Sequence, residues 1–350
     1  MIDLQRAMDW AERGRVPDFV IRCGIRALVR QRLRELQPGD PAAAAEFTEH
    51  FVALMDQAPL APVPELANEQ HYELPEEFFG AVLGPQRKYS CCVFAGADTP
   101  LAVAEVDALS LTCERAGLAN GQEVLELGCG WGSLSLWMAA HYPDSRITAV
   151  SNSHSQRDYI ERRAAERGLA NLSVLTRDMN EFDAGREYDR IVSVEMFEHM
   201  RNWRELLHRI AGWLQPEDGA AFVHVFSHRT LPYRFAGTWA AQRFFTAGLM
   251  PSHELIRNFQ DDLALQEAWA LPGTHYARTL KAWLDRLDAS ADQALEVLRA
   301  DGRDDGAARR LLATWRLFLI STAVIWSYRG GNRWLVSQYR LRPARRLGVA

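Results

Sequence analysis

Residues Glu123–Ser133 read EVLELGCGWGS. The run Glu123–Leu127 is short and apolar, suited to a buried strand, and it passes straight into three glycines, Gly128, Gly130 and Gly132. Glycine there permits positive φ and lets the backbone approach a ligand with no Cβ in the way. Ser133–Ala140 then follows as a helical stretch, whose first turn offers unpaired backbone N–H groups. The apolar runs Arg146–Val150, Leu172–Leu175, Tyr188–Val194 and Ala220–Val225 alternate with helical patterns at Ser155–Glu166 and Trp203–Trp213. Strand and helix alternating at this spacing predict a doubly wound α/β fold with a mostly parallel sheet. Such a sheet binds ligands beyond the carboxyl ends of its strands.

Outward from this centre the pattern is helical. Residues 1 to about 56 read as helix, with Val20, Ile21, Ile25, Leu28, Val29 and Leu33 at three- and four-residue spacing. The run APLAPVP, residues 58–64, breaks it, because each proline removes a donor and fixes φ. A mixed stretch with Tyr72 and the Phe78–Phe79 pair leads to a further helix over Thr99–Ala116. After His228 the chain reads as mostly helical to Trp326, and RWLVSQYRL alternates enough for a strand, expected at the sheet edge. The expected organisation is an N-terminal helical region (1–105), a central α/β domain of nucleotide-binding type (106–228), a mostly helical segment (229–326) and a C-terminal strand returning to the sheet (327–350).

Composition narrows the function. At 350 residues the chain is long enough for about two domains. Forty Lys and Arg against 45 Asp and Glu leave a charge of −5, which argues against nucleic acid as the partner. The five cysteines show no CxxC spacing, so no metal is expected and they read as reduced thiols of a cytoplasmic protein. The charged N-terminus lacks the apolar core of a signal peptide. The apolar stretch Leu317–Trp326 is too short to span a bilayer, so no transmembrane segment is expected. A homodimer is left open.

A dinucleotide site would want a third glycine where Ser133 stands, and an acid at the end of the second strand, which instead ends Val150–Ser151–Asn152. Glu126 lies two residues before the first glycine, and an acid there suits a ligand with an amino-acid end or hydroxyls. The resulting E-x-G-x-G-x-G resembles motif I of S-adenosylmethionine-dependent methyltransferases. Asp178 would then serve the adenine amino group, or is a plain turn aspartate. The strand YDRIVSV ends in EMFEHM, with Glu195, Glu198 and His199. Two carboxylates and an imidazole at a strand's carboxyl end can remove a nucleophile's proton or steady a cation. The same acids would equally suit a helix N-terminus on the surface.

Taken together, GCGWGS, SNSHSQ, EMFEHM, FVHVFSH, KYSCCVF, FQDD and HYART closely resemble the coclaurine N-methyltransferase group, a branch of the cyclopropane-fatty-acyl-phospholipid synthase superfamily. The resemblance implies a Rossmann-like methyltransferase with N-terminal helices and a helical cap, using S-adenosyl-L-methionine on a small-molecule amine. It places Gly128, Gly130 and Gly132 at the methionine end of the cofactor, Ser151, Asn152 and Gln156 at the ribose, and Asp178 and Met179 at adenine, with Glu126 of motif I as a further cofactor-binding candidate. Glu198 and His199 inherit the catalytic pair, and Glu195 helps hold the amine. Tyr89, Cys91, His224 and Trp334 are the further acceptor-site candidates. In the lipid-modifying branch, Cys91, His224 and Glu198 would bind bicarbonate with a late tyrosine. Here Arg333 falls near that tyrosine's place, with Tyr328 and Tyr339 offset. This favours simple methyl transfer over modification of unsaturated acyl chains. The plant-type GEEW reads Gly331–Asn332–Arg333–Trp334, so a benzylisoquinoline acceptor does not follow from the resemblance.

Overall fold

A computed structural model describes residues 4–36, 39–62, 74–235 and 237–344. Tyr72 and the end of the proline run at 63–64 lie outside the described residues. The sheet contains β1 (Glu123–Leu127), β2 (Arg146–Ser151), β3 (Leu172–Thr176), β4 (Arg190–Val194) and β5 (Ala220–His228). A separate antiparallel pair follows, β6 (Tyr233–Arg234) with β7 (Leu249–Met250). Then come β8 (Leu263–Pro272) and, late in the chain, β9 (Trp334–Pro343). The seven-stranded order is β3-β2-β1-β4-β5-β9-β8, and β1 to β5 pair in parallel.

The register positions the site. Leu127 pairs with Val150 on one side and Ser193 on the other, and the Ser193 hydroxyl donates to the Leu127 carbonyl at 3.1 Å. The glycine turn, Ser151 and Glu195 therefore leave the sheet side by side, at the point where strand order reverses. Apolar burial on both faces holds this sheet. One face packs Leu109, Met138, Ile147 and Phe222, and the other packs Phe197, Trp203, Leu206 and Ile210. Helix starts are capped locally: the Ser153 hydroxyl accepts from the Gln156 N–H, and the Asn202 side chain from the Glu205 N–H.

Two compact units form. One comprises Met1–Pro38, Glu73–Val106 and Pro272–Trp334, and the other Gly39–Tyr72, Asp107–Leu271 and Leu335–Ala350. In the first, the helix Asp305–Ser327 packs against Asp18–Glu35, Gly273–Ala289 and Ala291–Ala300. Arg316 ties this unit together through ion pairs to Asp18 and Asp288. The four consecutive stretches expected from sequence thus do not map one-to-one onto these units.

Two expectations are corrected. The segment 229–326 is not continuously helical: Leu263–Pro272 is the edge strand of the sheet. Its sequence, LALQEAWALP, is rich in helix formers, and strand pairing overrides that preference. RWLVSQYRL is a strand as expected, yet it lies inside the sheet between β5 and β8.

Gly132 has φ +73, and a Cβ there would sit 2.4 Å from Ile160 Cγ1. Gly132→Ala is expected to cost about 1–3 kcal/mol through backbone strain and overpacking. Urea denaturation of the purified variant measures this, and an unchanged midpoint would contradict the packing role.

Candidate functional site

A cleft of ≈ 800 Å³, counting its open mouth, lies at the carboxyl ends of the strands. Gly128 and Gly130 form its floor, both at positive φ, and a Cβ on Gly130 would meet no atom within 4 Å. That space is where a ligand can press on the backbone. Ser151 at the end of β2, and Asn152 and Gln156 after it, line the wall, as do Asp178 and Met179 beyond β3. The Ser151 hydroxyl donates to Gln156 Oε1 at 2.6 Å, leaving the buried Gln156 Nε2 without a hydrogen-bond partner among the described residues. A buried donor orphaned at a cleft wall is a place for a ligand oxygen. Asp178 braces its own turn by accepting from the Asn180 N–H at 2.8 Å.

Two predicted cofactor residues sit elsewhere. Glu126 is buried beneath the turn and is not part of the cleft wall. Its Oε2 accepts from the Ser135 hydroxyl at 2.5 Å, anchoring the first turn of the helix Ser133–His141. Burial pushes its carboxyl up to about 8, partly offset by that hydroxyl. Gly132 also lies off the wall, where its role is close packing on Ile160.

The far wall is built by EMFEHM. Phe197–His199 form a 3₁₀ turn ahead of the helix Trp203–Gly212, so the two acids do not sit at that helix's N-terminus. The turn is anchored by Phe197 and Trp203, both fully buried with ring centroids 5.3 Å apart, and by Trp203 Nε1 donating to the Phe197 carbonyl at 2.9 Å. Glu195 has φ +51, uncommon for a residue with a side chain. Its N–H donates to the His224 carbonyl at 2.8 Å, and its Oε1 lies 3.3 Å from His224 Nε2. A residue held in this strained region by its neighbours is a frequent mark of a functional site.

Glu195 and His199 both line the cleft, while Glu198 is only 1% exposed and lies behind them. Glu198 Oε2 has no hydrogen-bond partner among the described residues. Burial, and then the nearby Glu195 charge, hold the Glu198 carboxyl well above the usual carboxylate range. Burial pushes the His199 imidazole down to about 4, against the opposing pull of Glu195. His199 therefore faces the cleft as neutral imidazole, with the half-buried Phe245 ring stacked 6.0 Å away.

The remaining candidates divide. His224 backs Glu195. Tyr89, Cys91 and Trp334 belong to the other compact unit. Tyr89 packs there with Phe79, Trp283 and Trp315, and Cys91 is buried with its Sγ donating to the Cys92 carbonyl at 3.4 Å. Sequence reasoning missed Met196, Met200, Thr246 and Ala61 on the wall. The two methionines flank the acids of EMFEHM and were open to notice. Ala61 was not, because its place is set from a distance: the Asn180 side chain donates to its carbonyl and accepts from its N–H, both at 3.0 Å.

Fold and site together define a class I S-adenosylmethionine-dependent methyltransferase. Residues 64–326 match the family model described as mycolic acid cyclopropane synthetase. The (S)-coclaurine N-methyltransferase of Thalictrum flavum subsp. glaucum is 37% identical over 337 residues, 93% of this chain and 92% of that protein. The crystal structure of a coclaurine N-methyltransferase bound to N-methylheliamine and SAH superposes with a TM-score of 0.93 at 34% identity, covering 97% of this chain and 99% of that one. Similarity to the cyclopropane-fatty-acyl-phospholipid synthase of Escherichia coli (strain K12) is shorter, 31% over 227 residues, 64% of this chain and 57% of that protein. The chain belongs to the mycolic acid cyclopropane synthetase family, in its coclaurine N-methyltransferase-like branch.

Two measurements test this geometry. Gly130→Ala, which faces open space, is expected to weaken cofactor binding at least tenfold in calorimetry while costing stability only the backbone strain of about 1–2 kcal/mol; undiminished binding would remove Gly130 from the ligand contact. The second concerns pH. Below pH 6.5 the unfolded chain takes up a proton that folded His199 refuses until about pH 4. Stability from neutral His199 is thus present above 6.5 and lost as pH falls. Glu198 titrates with the opposite sign, but it is common to both proteins compared. Between pH 7 and 5 the parent should lose on the order of 1 kcal/mol more than His199→Gln. Parallel denaturation curves at both pH values would contradict a neutral His199.

Proposed function

We infer that this chain transfers a methyl group from S-adenosyl-L-methionine to the nitrogen of a small-molecule amine. The observation that carries this is the meeting, in one cleft, of the glycine turn with a carboxylate and a neutral imidazole, Glu195 and His199. The residues suit the cofactor: an open floor at Gly130, the orphaned Gln156 Nε2 for a ribose oxygen, and Asp178 with Met179 at the end of β3 for adenine. When bound, the cofactor supplies an electrophilic methyl group on a sulfonium.

Each site residue then has a distinct task. An amine reaches the site largely as its ammonium, which has no lone pair. Glu195 attracts that cation and holds it against the cleft wall. His199, neutral and half-buried, accepts the proton, and Glu195 offsets part of the cost of forming the imidazolium there. Glu198 behind them, its carboxyl raised by burial and by the Glu195 charge, becomes a stronger base once ionised. Burial of this turn excludes water, which would compete for the proton and screen the charges.

The amine class follows the relatives, which include a (S)-coclaurine and a (S)-tetrahydroprotoberberine N-methyltransferase. Modification of lipid acyl chains is the weaker reading. It would ask His224 to bind bicarbonate, while both its ring nitrogens face protein partners, Glu195 and Gln338. Five free cysteines, four of them buried, support placing the reaction in the reducing cytoplasm.

Incubation with primary, secondary and tertiary amines, with thiols, phenols and unsaturated phospholipid vesicles as controls, is expected to add one methyl mass to an amine only. Label in the lipid instead would overturn the assignment. His199→Ala and Glu198→Ala should each lower turnover by about 100-fold or more while keeping cofactor affinity. Full turnover in both would remove the pair from the mechanism.

A further inference from the structure

Strand β9 carries an amide, Gln338, that is 1% exposed in the interior of the sheet. Beside it on β5 is His224, 2% exposed. Gln338 Nε2 lies 2.9 Å from His224 Nδ1, and Gln338 Oε1 accepts a hydrogen bond from Arg115 Nη1. The Arg115 guanidinium lies 4.9 Å above the Trp269 ring. On the far side of the imidazole, Nε2 faces Glu195 Oε1 at 3.3 Å.

Donor and acceptor chemistry fixes every proton along this line. A guanidinium only donates, so the amide oxygen must turn toward Arg115 and the NH₂ toward His224. An NH₂ group also only donates, so Nδ1 must offer its lone pair. The single imidazole proton is then on Nε2, directed at Glu195. A second proton, on Nδ1, would point donor at donor. Left to itself, a carboxylate beside a histidine favours the imidazolium.

We propose that Gln338, oriented by Arg115, is a positioning residue that locks His224 as the neutral Nε2–H tautomer, so that Glu195 keeps its negative charge for an ammonium acceptor. The consequence for binding is direct. A protonated His224 would make the pair a zwitterion of net charge zero, with little attraction for a cation. A neutral His224 donates one hydrogen bond, orients the carboxylate and leaves its charge intact. The same residue holds the Glu195 backbone through its carbonyl, so main chain and side chain of Glu195 are set from one strand. The role assigned to Glu195 rests on the amine reading above; the tautomer does not.

Nitrogen NMR of protein labelled at its 10 histidines tests the tautomer without turnover. The His224 signals are assigned as those lost in His224→Gln. At pH 7 the parent is expected to show two distinct ring nitrogens with the proton on Nε2. An imidazolium, or a proton on Nδ1, overturns the proposal even if amines are methylated. Gln338→Glu offers Nδ1 an acceptor and should convert His224 to imidazolium, equalising its ring nitrogens. With it, KM for the amine should rise about tenfold while calorimetric cofactor affinity stays within twofold. An imidazolium in Gln338→Glu with unchanged KM would overturn the charge argument. If the parent shows the Nε2–H tautomer and no amine is methylated, the lock stands and the amine reading falls.

Discussion

The register that sets Leu127 between Val150 and Ser193 is the constraint on which the site depends. Three parallel strands end together there, and each hands its next residues to the same cleft: the glycine turn from β1, Ser151 and Asn152 from β2, Glu195 from β4. Backbone hydrogen bonds hold this arrangement. The N–H groups of Gly128 and Cys129 both donate to the Val150 carbonyl, and that of Glu195 to the His224 carbonyl. A slip of one residue in this pairing would turn every one of these side chains to the opposite face.

Burial then divides the chemistry among groups that look alike in one dimension. Glu126, Glu195 and Glu198 are all glutamates near the ends of central strands, yet they do different things. Glu126 is sealed under the turn and paired with Ser135. Glu198 is sealed behind the wall, with one carboxyl oxygen that has no hydrogen-bond partner among the described residues. Glu195 alone among them reaches the cleft, because a left-handed backbone turns it out of the strand. His199 is kept neutral by the same burial that raises the carboxyl of Glu198. The two shifts run in opposite directions, so an imidazole that resists protonation lies near a carboxyl that holds its proton more tightly.

The two late strands carry a less obvious part of this design. Inserting β9 between β5 and β8 brings Gln338 beside His224, and so connects Arg115, Gln338, His224 and Glu195 in one line. Had β9 been an edge strand, as its alternating pattern suggests, that amide would have faced solvent or a sheet margin. An interior strand instead gives a buried amide whose two ends must both be satisfied.

What was legible in one dimension is what short-range geometry determines. The strand–glycine–helix turn, the five parallel strands and the EMFEHM cluster all depend on residues within a few positions of one another. So does the placing of Ser151 and Asn152 where the second strand ends. Only the tertiary structure decided the depth of Glu126, the packing task of Gly132, the wall position of Ala61, the strand nature of Leu263–Pro272 and the partnership of Gln338 with His224. Each of these depends on atoms far apart along the chain, such as Asn180 for Ala61 and β5 for β9. Local pattern reports which conformation a segment prefers and which face is apolar. Burial, and with it protonation and hydrogen-bond partnership, is set by whatever the folded chain brings alongside.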